Sequence, residues 1–274
     1  MSNTSSEQTL YGIPLSQLQK GATQVNGGMY YDLNGYCLYV PDEVDSNTSA
    51  FIYYPGSGGS GNDAKFIREL INKGAPEQII VIADTYHGDG KGGTSFLQLI
   101  NNIGLENSAD ISSVNSMCFS ASGTSGFNTI SNIAIALPDE KHFAVMCDIA
   151  NLALNDDNIN ALLENESTLV FLEKSGELMS QTNTLAKAGV DVIVARTTGS
   201  HSTHIALNAE AIQNGIIAFI SGDETALANA DIYTFESFNT VTGKWERISF
   251  EEVAEKFVKS DVASNPFRYY DRLS

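Results

Sequence analysis

A chain of 274 residues, 42% of them hydrophobic, can bury one large α/β core or two small ones. Its 33 acidic against 15 basic residues give a formal charge of −18, which serves solubility and argues against nucleic acid and anionic membrane surfaces, since both reward clustered Lys and Arg. Three widely spaced cysteines, Cys37, Cys118 and Cys147, match neither a dense disulfide framework nor a zinc signature and read as free, mostly buried thiols.

Residues 1–9 are polar and read as a loose N-terminal segment. The stretch MSNTSSEQTLYGIPLSQLQKG has no basic n-region followed by an apolar h-region, and no later run reaches the roughly 18 apolar residues of a membrane span. As written, the chain is expected to be soluble and cytoplasmic; a longer, exported precursor would leave the same chain. Next, YGIPLSQLQKGATQVNGGMYYDLNGYCLYVP reads as short strands broken by Gly-Gly and Asn-Gly turns, an antiparallel start.

From Ala50 the rhythm changes to short apolar runs alternating with helical patterns. AFIYY, QIIVIAD, VNSMCFS, HFAVMCD, TLVFLEK and VDVIVART are about six strands, and the segments between them carry helical periodicity. Such alternation predicts crossover units and a mostly parallel sheet with helices on both faces. Residues 10–223 form this core. Residues 224–274 read as a small appendix packed on it, a hairpin around Thr242-Gly243 followed by the short helix EEVAEKFVKS.

In a doubly wound sheet, reactive groups collect at the carboxyl ends of the strands. Ser120, in MCFSASG, stands where a strand gives way to a helix. Upstream, PGSGG at positions 55–59 follows a strand, and its glycines let backbone N–H groups approach a developing negative charge. The same loop also reads as a flexible Gly/Ser connection or a phosphate cradle without the Lys of a P-loop. Downstream, TLVFLEKSGELMSQ runs into Glu177, and TGSHSTHIAL carries His201 and His204 after the next strand. The order Ser, acid, His thus falls at successive strand ends.

On these residues the chain resembles the α/β-hydrolase superfamily, in layout its small esterases and lipases, over about residues 50–220. The family's elbow is usually Gly-x-Ser-x-Gly, often GFSAGG. CFSASG agrees at Phe119, Ser120, Ala121 and Gly123 and departs at Cys118 and Ser122, small residues at positions that face close backbone. The resemblance implies Ser120 as nucleophile and Glu177 as the acid where Asp is more usual, with Asp148 as the rival and Glu173 as an alternative paired structural charge. His204, before the last core helix, is implied as base over His201. Backbone N–H groups of Ala121 and Ser57 or Gly58 would form the oxyanion hole. His87 and His201 are then pocket residues, with Gly58 at the substrate, and His142 is structural.

The implied reaction is ester cleavage through an acyl-enzyme, without cofactor or metal. The short segment IANLALNDDNINALLENES implies a minimal cap and an open site for a small or surface-presented ester. Thioester or amide cleavage would use the same triad, and a binding module that kept the fold and lost activity, or a nucleotide binder using loop 56–61, is the reading from another class. Oligomeric state leaves no mark on the sequence.

Overall fold

The computed structural model describes residues 8–25, 27–55, 79–84, 92–111, 114–119, 122–136, 142–147, 152, 154–174, 180–198, 224–229 and 232–258. The chain opens with β1 (Thr9–Leu10) and β2 (Ile13–Pro14), a two-stranded antiparallel ribbon, and then forms α1 (Leu15–Gly21). This helix falls where the sequence reads as strands. Pro14 fixes the entry and the Leu15–Leu18 spacing of three turns Leu18 into the core, so burial of one side chain overrides a weak local pattern.

β3 (Ala22–Val25), β4 (Gly28–Leu33) and β5 (Tyr36–Pro41) pair antiparallel in sequence. The β4–β5 hairpin closes through Asn34-Gly35, with Gly35 at φ 97°, the positive φ that two-residue hairpin turns demand. The antiparallel start read from the sequence is therefore present.

The parallel part follows: β6 (Ser49–Tyr54), β7 (Ile79–Asp84), α2 (Gly92–Asn107), β8 (Val114–Phe119), α3 (Ser122–Ala136), β9 (Phe143–Cys147), α4 (Asp156–Glu164), β10 (Thr168–Lys174), α5 (Ser180–Ala188) and β11 (Asp191–Thr197). After α6 (Glu224–Asn229), the hairpin β12 (Ile232–Asn239) and β13 (Lys244–Ile248) leads to α7 (Phe250–Val258). All strands but the first two join one eleven-stranded sheet in the order β13-β12-β11-β10-β9-β8-β6-β7-β5-β4-β3. The six strands from β11 to β7 in that order run parallel, flanked by antiparallel strands at both ends. The C-terminal hairpin is thus built into the sheet: β12 pairs antiparallel with β11.

The apolar runs are continuous because both faces of the sheet are covered. Along β6, Ala50, Ile52 and Tyr54 face one cluster, while Phe51 and Tyr53 face the other. The first cluster receives Phe96, Leu99, Ile100 and Ile103 of α2, at the i, i+3, i+4, i+7 spacing of one helix face, with Phe127 of α3, Leu162 of α4 and Leu185 of α5. These four helices share a face because β7→β8, β8→β9, β9→β10 and β10→β11 all advance in one direction across the sheet, and right-handed crossovers then fall on one side. Leu227 of α6 and Val253 of α7 pack on the opposite face.

Capping fixes the helix starts. Ser249 and Glu252 bracket the start of α7 reciprocally: the Ser249 N–H donates to Glu252 Oε2 at 2.7 Å, and the Glu252 N–H donates to Ser249 Oγ at 3.2 Å. At α4, Asn155 Oδ1 accepts from the Asn158 N–H at 2.8 Å, with Asp156 and Asp157 in the first turn. Asn155→Ala should therefore cost about 1 kcal/mol in urea unfolding at unchanged m-value.

Candidate active site

The strand order contains one exchange. From β6 the chain passes to β7 on one side, then returns past β6 to β8 on the other, and continues outward through β9 to β11. The connections after β6 and after β8 thus leave in opposite directions, which opens a crevice at the carboxyl ends of these two adjacent strands. This is the one switch point among the described parallel strands.

Each end at that crevice leads into a candidate segment. β6 closes at Tyr54, three positions before Ser57, and β8 closes at Phe119 with α3 beginning at Ser122, so two residues, Ser120 and Ala121, link strand to helix. β10 ends at Lys174, three positions before Glu177, and β11 ends at Thr197, ahead of His201 and His204. Ser57, Gly58, His87, Ser120, Ala121, Asp148, Glu177, His201 and His204 themselves lie outside the described residues. What is described is the frame that supports them.

Within that frame Cys118, one of the two departures from the usual elbow, has its side chain fully buried in the cluster that holds Tyr54 and Phe127. Its volume goes into the core. None of the three cysteines forms a disulfide and all are buried, as read from their spacing. Tyr54, across from Cys118 in register, is also fully buried; burial pushes its phenol well above the usual range, and the Cys118 thiol and the Asp84 carboxylate add to the effect. The Tyr54 phenol at the end of β6 is therefore neutral.

Glu173 resolves as a structural charge. It is 6% exposed, and Thr182 Oγ1 on α5 donates to its Oε1 at 2.6 Å. Arg196, its register partner on β11, brings Nη1 to 3.9 Å from Oε2 and donates from Nε and Nη2 to Glu236 Oε2 of β12 at 3.0 and 2.6 Å. This carboxylate is committed to the three strands and the helix it ties together, which removes it from the candidates for the acid. The cluster lies one residue beyond the row Phe119–Cys147–Leu172–Ala195, at the edge from which the segments after β10 and β11 depart. Sequence reasoning missed Arg196, Thr182 and Glu236; the only signal was a buried-strand charge at the same distance from the end of two successive strands.

His142 sits at the other edge, just before β9. Its Nε2 is 3.0 Å from Ser116 Oγ, Nδ1 has no hydrogen-bond partner among the described residues, and burial pushes the imidazole down to about 3. An unfolded imidazole takes up its proton near pH 6.5, so the stability this neutral histidine contributes is complete above pH 6.5 and is lost as pH falls toward 3. Urea unfolding at pH 7 and pH 5 should show a loss of ~2 kcal/mol from this group, absent in His142→Gln.

Among the described residues no group of His, Cys, Asp or Glu is arranged to hold a metal ion, and no helix is long and apolar enough to cross a membrane.

No family model matches the sequence, and neither does any curated protein. Similar solved structures include a poly(3-hydroxybutyrate) depolymerase from Bordetella parapertussis, at 10% identity and TM-score 0.48, covering 81% of this chain and 99% of that one. Others are esterase 2 of Thermogutta terrifontis, phosphonylated by sarin (10%, TM-score 0.42, 65% and 86%), and a dienelactone hydrolase-like promiscuous phosphotriesterase from metagenomic libraries (11%, TM-score 0.44, 76% and 91%). Scores of this size leave the fold class to strand order and direction: a mostly parallel sheet, antiparallel N-terminal strands, one order exchange, and a two-residue strand-to-helix step beside it. The fold is α/β, a large mixed sheet with helices on both faces. α4 buries Ala161 and Leu162 and so belongs to the layer of crossover helices.

Proposed function

We propose that the chain is a serine hydrolase that cleaves a carboxylic ester through an acyl-enzyme. The observation that carries this reading is the switch point between β6 and β8, which brings the end of the strand before Ser120 next to the end of the strand before Ser57 and Gly58.

Ser120 Oγ attacks the carbonyl carbon while His204 takes its proton. The tetrahedral oxyanion is held by the backbone N–H groups of Ala121 and Ser57 or Gly58. On collapse the alkoxide leaves with the proton from the imidazole, and water, deprotonated by the same imidazole, then releases the acid and restores the serine. Glu177 keeps the imidazole in the productive tautomer, while His87 and His201 line the pocket. Withdrawal of Glu173 into its own ion cluster favours Glu177, in the segment after β10, as the acid. The packing of α4 in the helix layer favours an open site suited to a small or surface-presented ester.

A fluorophosphonate probe tests the reading. Mass spectrometry of the folded protein should find one adduct, on Ser120, and none in Ser120→Ala. Folded protein that takes up no probe at Ser120 would reject the enzyme in favour of a non-catalytic binding module.

A further inference from the structure

Two neighbouring helices of the crossover layer carry almost no charge. α2 spans 16 residues and α3 spans 15, and they pack side by side. At the chain's average of 18% charged they would hold about six charged side chains, yet Glu106 is the only one. The next helix in the layer, α4, holds Asp156, Asp157 and Glu164 in nine residues. Glu106 itself stands at the end of α2, where its Oε1 accepts from the Tyr11 N–H at 2.6 Å.

The outward side of this helix pair is polar but uncharged. Gln98, Asn101 and Leu105 follow at i, i+3 and i+7 on α2, all exposed and turned away from its core stripe. On α3, Asn132 and Ile135 are exposed at i and i+3. Leu105 is 69% exposed and Ile135 59%, and each stands near the carboxyl end of its helix, at the same edge of the sheet.

That chemistry selects a second copy of the chain. A basic partner would seek the carboxylates that dominate a chain of formal charge −18, and they lie elsewhere. Amide side chains present donors and acceptors together, so such a face can pair with itself, which a field of carboxylates cannot. Charges more than about 8 Å from the contact are largely screened at physiological salt, so local neutrality decides. A 16-residue helix is about 24 Å long, and two of them about 10 Å apart offer a face about 20 Å wide, roughly 500 Å² per copy. Two copies would bury about 1,000 Å², the size of a weak but specific interface.

We propose that α2 and α3 form the interface of a weak homodimer. A two-fold axis lying along the helices in the plane of contact sets α2 of one copy over α3 of the other, so that Leu105 meets the partner's Ile135 and Ile135 the partner's Leu105. Glu106 then faces an uncharged helix rather than a second Glu106. This contact stands whether or not Ser120 is a nucleophile.

Sedimentation of the full chain at about 1 to 100 μM, in low and in high NaCl, tests this. A concentration-dependent doubling of mass is expected, stronger in high salt, because screening relieves repulsion between the acidic remainders while the contact holds no ion pair to lose. Leu105→Lys and Ile135→Asp, at exposed positions, should each weaken association about tenfold or more. The double variant should recover much of it, because each introduced ammonium then faces an introduced carboxylate across the axis. A dimer that weakens in high salt, growth past the dimer, undiminished association in both folded single variants, or a double variant no better than the singles would overturn the proposal. A chain monomeric throughout would also overturn it and leave the face to a different protein.

Discussion

Ser120→Ala should lower the kcat for p-nitrophenyl acetate on the order of 10⁶-fold while leaving the Tm within a degree or two of the wild type. A triad serine removed alone abolishes nearly all of the catalysis the constellation provides, because base and acid have no nucleophile left to act on. Stability is spared because the elements on either side of residues 120–121 are anchored independently: β8 by pairing on both sides, and α3 through Phe127, Ile130 and Ile133 in the core. The same assay on His201→Ala and His204→Ala identifies the base. Undiminished turnover in Ser120→Ala would refute its role, and loss confined to the His201 variant would move the base there.

The second large effect is on stability. Arg196→Met should destabilise the fold by about 3 kcal/mol, because it takes the guanidinium away from two carboxylates, Glu173, 6% exposed, and Glu236. Adding Glu173→Gln should recover much of the loss: the amide oxygen still accepts from Thr182, and no buried charge remains. Urea unfolding of the two single variants and the double variant measures the coupling, and additive losses would show that the pair contributes nothing. The cluster stands at the edge from which the segments after β10 and β11 depart, so Arg196→Met should also lower activity at temperatures well below its Tm.

Much of this architecture is legible in the sequence, for identifiable reasons. Runs such as AFIYY and IIVIA are apolar at every position because both faces of their strands are buried, and that alone signals a covered parallel sheet. The Asn34-Gly35 turn and the hairpin closing at Gly243 are announced by the residues that tolerate positive φ. α1 escapes because seven residues with a single buried side chain carry too little periodicity to outweigh strand-like neighbours.

The exchange of β6 and β7 is also invisible, since strand order comes from how crossovers pack and no local pattern encodes it. Yet that exchange is what sets the ends of β6 and β8, the strands that precede Ser57 and Ser120, side by side. The Glu173–Arg196 pairing depends likewise on parallel register, so the sequence could offer it only as one option for a charge on an apolar strand.

Among the described residues β13 forms one border of the eleven-stranded sheet, with Lys244 and Glu246 on one face of the strand and Arg247 on the other. A second copy docking there antiparallel about a two-fold axis would set Glu246 against Glu246, or, shifted by one register step, Arg247 against Arg247. Like charges directly opposite on paired strands are destabilising. In those two registers the short border strand resists pairing with its own copy, which works against edge-to-edge growth there.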